Sequence, residues 1–150
     1  MGRIQFSLTT WYNALVIVIS AVIAGALVFL AQPRPLLSSA IGTGAGLLAG
    51  ILQRKSIQLS PALFAAARSI LQIRLAFKSN RAGALSIAMV WATGLVLFVS
   101  ITLVHGGDSA FGGDNAFVEL VAGYAMFIFV RDVVAFGAVS EVRRIASQPD

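Results

Sequence analysis

Apolar positions in this chain come in runs of about twenty, not in the twos or fours of a water-facing fold. The first run follows Trp11-Tyr12 and reaches Ala31. The second covers 36–53, the third 84–105 and the fourth 116–138. At about 1.5 Å per residue, a helix of this length matches the ~30 Å hydrocarbon core of a bilayer. Trp11 and Tyr12 at the first boundary suit the interfacial aromatic belt. A secretory leader is the rival reading of this run, with Ala24-Gly25-Ala26 as a cleavage site, but the length of the run favours a retained span.

The interruptions are polar and helix-breaking. Gln32-Pro33-Arg34-Pro35 ends the first run, because proline cannot continue a helix and disfavours helix in the residue before it. Ser79–Gly83 and the twice-repeated Gly-Gly-Asp after His105 separate the later runs. Between the second and third runs, Ser60-Pro61 reads as a helix start. The segment to Lys78 is a good helix former but carries Arg68, Arg74 and Lys78. Each central cation costs about 3 kcal/mol on insertion scales, so this helix, at about 61–78, is expected on the cytoplasmic membrane surface near anionic lipid headgroups. A docking surface for an acidic partner is its other reading. The expected fold is all-α: one integral membrane domain over 1–150, a four-helix transmembrane protein made of two antiparallel hairpins joined by that surface helix.

The second run has an internal order of its own. Ser38, Gly42, Gly46 and Gly50 recur every fourth residue and share one helix face. Glycine weakens a helix in water, but in lipid a stripe of small residues lets another backbone approach closely. Folding about the Pro33-Pro35 turn sets Gly25 level with Gly42 and Ala21 level with Gly46. Ala21 and Gly25 are themselves a small-xxx-small pair, so the first span is the expected partner. A groove for another subunit, and a homo-oligomeric glycine-zipper pore, are the alternatives.

Composition narrows the chemistry. Hydrophobic residues make up 58% of the 150 and charged residues 11%, against about a quarter charged in soluble domains. Mean hydropathy is +0.88. The absence of cysteine excludes disulfides, thiolate metal sites and cysteine nucleophiles, and the single histidine, His105, removes most haem and zinc schemes. A Ser–His–Asp triad needs a positioned base, which a glycine-rich loop edge does not supply. No phosphate-binding Gly-Lys-Ser/Thr loop and no HExxH motif is present. The chain therefore reads as not an enzyme, with no metal site expected; His105, Asp108 and Asp114 read as part of a solvated turn.

The net charge of +5 signals topology, not nucleic acid. With both termini cytoplasmic, Arg3, Arg54, Lys55, Arg68, Arg74, Lys78, Arg81, Arg143 and Arg144 all fall inside, and only Arg34 outside. The expected location is a bacterial cytoplasmic membrane. Charges within a span need a partner or a task, and the fourth run contains Glu119, Arg131 and Asp132. Glu119 shares a face with Gly123 and Phe127. Arg131 falls level with Trp91, where a cation–π contact is worth about 1–2 kcal/mol. Asp132 has no evident donor in the other spans, which suggests a second subunit. The function expected on these grounds is a small non-catalytic subunit that helps assemble or stabilise a larger membrane complex, its partners being other membrane subunits or copies of itself. The alternative is a homo-oligomeric ion or proton channel, or small transporter, using Glu119, Arg131 and Asp132. No cofactor is expected. Bound lipid fits the apolar helices, and a pigment held through water or backbone would leave no sequence mark.

Overall fold

The computed structural model describes residues 7–31, 34–105 and 114–148. Arg3, the Gln32-Pro33 half of the first turn, and the Gly-Gly-Asp loop with the side chains of His105 and Asp114 lie outside the described residues, as do the metal and turn readings attached to them. All regular structure in the described residues is helical. Helix α1 (Leu8–Gly25) runs on into a wider π-helical stretch, Ala26–Leu30; α2 is Leu36–Leu59, α3 Pro61–Ala66, α4 Ile70–Lys78, α5 Arg81–His105 and α6 Asp114–Ala146. Four helices are long and apolar enough to cross a membrane: α1 with its π-helical extension, α2, α5 and α6.

Helices α2 and α6 form the centre. A β-carbon added at Gly42 would strike the Gly123 carbonyl oxygen; one at Gly46 would lie 2.7 Å from the Phe127 carbonyl oxygen, and one at Gly50 2.8 Å from that of Arg131. Each four-residue step along α2 is matched by one along α6 in the same direction, so the two helices run parallel. The groove expected to hold the first span instead holds the last. Helix α1 packs along α6 and makes at most marginal contact with α2. Nothing lies within 4 Å of a β-carbon built on Gly25, and Ala21 is only partly buried. The buried face of α1 carries Asn13, Ser20 and Ala24. Ser20 and Ala24 are also four apart, so α1 does present a small-xxx-small face, one residue out of phase with the expected one. The physical reason is complementarity: a groove floored by bare backbone is filled best by a helix that is itself smooth there, and Gly123 makes α6 smooth.

Helix α5 runs antiparallel to both. Asn80 Nδ2 donates to the Ser56 carbonyl at 3.3 Å and Ser86 Oγ to that of Ala49 at 3.2 Å. Farther along, the Tyr124 hydroxyl donates to the Val90 carbonyl, and Leu97 sits over Gly123. Interhelical hydrogen bonds of this kind average about 0.6 kcal/mol in membrane proteins, so they set register more than they supply stability.

The segment expected as one helix over 61–78 is two. Ala67 is extended, and Ser69 caps α4 by accepting from the Gln72 N–H at 3.2 Å, while Gln72 Oε1 accepts from the Arg68 N–H at 2.6 Å. Ser69-x-x-Gln72 is a capping-box pattern, which is why α4 starts afresh there. Phe64, Ala67, Ile73 and Ala76 are buried in one cluster with Ile57, Ala135, Val139 and Val142, and Phe64 meets Phe77 edge-on at 4.8 Å. This pair of short helices thus wraps its own bundle at the end where α2 and α6 finish and α5 begins. Arg54, Lys55, Arg68, Arg74, Lys78, Arg81, Arg143 and Arg144 belong to that end, and Arg34 to the other.

Candidate functional site

Two charged residues of α6, Arg131 and Asp132, line a cavity at the basic end. Neighbouring residues diverge by about 100° around a helix, which argues against an Arg131–Asp132 pair. The length of arginine overcomes this. Its side chain bends back so that Nε donates to Asp132 Oδ1 at 3.2 Å and Nη2 to Oδ2 at 3.0 Å. Gln53 Nε2, from α2, donates to Oδ1 at 3.0 Å. Asp132, 2% exposed, is therefore held by three N–H groups, and the sequence-based inference of a missing donor is overturned. Gln53 is the residue the sequence reading missed. Its signal was one polar side chain a turn beyond the glycine stripe, on the part of α2 that faces α6.

The expected Arg131–Trp91 stacking is also replaced. The guanidinium carbon lies 5.7 Å from the Phe127 ring centroid. Phe127 is four residues earlier on the same helix, so the contact follows from helical spacing alone. Trp91 lines the same cavity but is 77% exposed. Glu119 is half-buried on α6, about 20 Å from Asp132 along the axis at 1.5 Å per residue. The fold does not bring it to the pair.

The cavity measures about 510 Å³ and is open to the outside. Gln53, Arg131 and Asp132 lie on one side. On the other, α4 contributes Leu71, Arg74, Leu75 and Lys78, while Val90 and Trp91 come from α5. Arg68 is exposed and does not line it. Four cations and acids thus meet an apolar wall: Arg74, Lys78 and Arg131 against the already satisfied Asp132. The arrangement can hold an anion attached to apolar matter. Of the small residues, Ser38, Gly42, Gly46 and Gly50 meet α6 within the chain.

No protein-family model, curated protein or solved structure matches this chain.

Proposed function

We propose that the chain is a small non-catalytic, multi-pass subunit of a bacterial cytoplasmic-membrane complex, which it helps to assemble or stabilise. Both termini and the basic end face the cytoplasm in this reading; the four long helices alternate in direction, although α1 packs on α6 and not on α2 as the expected first hairpin would require, and the outward side of α3 and α4 rests at the headgroups. The bias of eight described cations to one arginine between the two ends supports that orientation.

The observation that carries the proposal is the outer face of α5. Ala84, Ala88 and Ala92 are exposed and four residues apart. Leu85, Trp91 and Leu95 flank them, also exposed, and α5 is the least buried of the four long helices. A shallow groove between large side chains gains little from lipid tails but admits a neighbouring helix. The glycine groove that a homo-oligomeric pore would need is already filled by α6, and the Arg131–Asp132 pair is satisfied by its own chain. Both points favour the subunit reading over the channel.

Filling the groove tests it. Ala88→Leu with Ala92→Leu should leave the thermal unfolding of the purified chain in detergent unchanged and abolish stoichiometric co-purification of foreign subunits under mild solubilisation. A ring of identical chains, or a partner retained at wild-type stoichiometry by the double variant, refutes the proposal.

A further inference from the structure

We propose that the cavity between α4, α5 and α6 is a specific site for the head of one anionic phospholipid. The inference needs the chain to sit in a membrane but does not depend on its having a protein partner.

Charge comes first. Arg74 and Lys78 share one face of α4, being four residues apart, and both line the cavity. Arg131 lines it from α6 and spends Nε and one Nη2 hydrogen on Asp132. A guanidinium has five N–H groups in one plane, so its remaining edge is not used by that carboxylate. Asp132 already accepts from Gln53 as well, so it does not need Arg74 or Lys78. The cavity thus has three cations around one internally neutralised acid, an excess of positive charge that a phosphate group complements.

Shape comes second. A volume of about 510 Å³ lies within the roughly 300–1,000 Å³ of ligand pockets. It suits a headgroup and glycerol rather than whole acyl chains. The rim is apolar: Leu71, Leu75 and Trp91 are all more than half exposed and line the opening. A free anion would use the cations and leave this rim idle. A lipid would seat its phosphate among the cations and run its tails over Leu75 and Trp91 along α5. The capping of α4 by Ser69 and the burial of Ile73 and Ala76 hold Arg74 and Lys78 in place against the bundle.

The test uses Trp91 as the reporter. The only other tryptophan, Trp11, is replaced (Trp11→Phe), and the full chain is placed in phosphatidylcholine nanodiscs containing a small, equal mole fraction of brominated lipid. Brominated phosphatidylglycerol should quench Trp91 several-fold more than brominated phosphatidylcholine. Unlabelled phosphatidylglycerol should reverse the quenching; inorganic phosphate should not. Arg74→Ala with Lys78→Ala should weaken the anionic preference about 10- to 30-fold, taking about 1 kcal/mol per cation near a membrane surface. Arg143→Ala with Arg144→Ala, at the same end but away from the cavity, should leave it intact. Equal quenching by the two brominated lipids in the chain that keeps Arg74 and Lys78 overturns the proposal, as does an undiminished anionic preference in the Arg74/Lys78 variant. So does reversal by phosphate alone, which assigns a free-anion site, and so does loss of preference in the Arg143/Arg144 variant, which assigns a diffuse basic surface.

Discussion

Alanine at Gly42 and alanine at Gly44 should move stability in opposite directions, though the residues are two apart on one helix. At Gly42 the new β-carbon meets only backbone: the Gly123 carbonyl oxygen in collision, the Gly123 carbonyl carbon at 3.0 Å and the Phe127 nitrogen at 3.2 Å. Backbone cannot rotate away, so α2 and α6 must separate. Such overpacking typically costs 1–3 kcal/mol. At Gly44 nothing lies within 4 Å, so alanine adds only its better helix propensity, up to about 1 kcal/mol. That propensity gain is common to both variants and cancels in their difference, which is then the steric cost alone, about 1–3 kcal/mol. Gly46→Ala and Gly50→Ala should fall between them, because their nearest obstacles stand at 2.7 Å. Titrating the chain from mild micelles into dodecyl sulfate and following helix loss gives the unfolding free energies. Gly25→Ala is the control for the partner: it should match Gly44→Ala, since nothing surrounds Gly25. If Gly25→Ala destabilises as Gly42→Ala does, α1 rather than α6 fills the groove and the packing argument fails. Equal effects at Gly42 and Gly44 would refute it as well.

Asp132→Ala leaves the Arg131 guanidinium, 18% exposed at its side chain, without its counter-ion, and should cost about 3 kcal/mol, the low end for a broken buried pair. Replacing Arg131 and Asp132 together by leucine should recover part of that loss in the same titration; an Asp132→Ala chain as stable as the parent contradicts the pairing. Gln53→Leu removes one donor from a carboxylate that keeps Arg131, and should cost about 1–2 kcal/mol. Ser69→Ala removes the α4 cap and should cost about 1 kcal/mol locally. Amide exchange over Ile70–Lys78 should quicken while that of α6 stays unchanged; uniform quickening would tie α4 to global unfolding instead.

The number of long helices was legible in the chain because the bilayer sets their length: a run of about twenty apolar residues needs no partner to be recognised. Their ends were not: α2 runs on past 53 to Leu59 and α6 past 138 to Ala146, where packing around Ile57, Val139 and Val142 carries the helices beyond the apolar runs. The glycine stripe was equally legible as a docking face, since four-residue spacing is a property of a single helix. So was the restart of α4 at Ser69, had the capping pattern been weighed above the helix propensity of its neighbours. Which helix would occupy the groove was not in the sequence. Ala21-Gly25, Ser20-Ala24 and Gly123 all offer small residues, and choosing among them takes the shape of both surfaces. The same holds for Asp132. Its donors are a side chain 79 positions away, Gln53, and the adjacent Arg131, whose reach depends on how its long stem lies over Phe127. One-dimensional spacing fixes which residues share a face; only packing decides what that face meets.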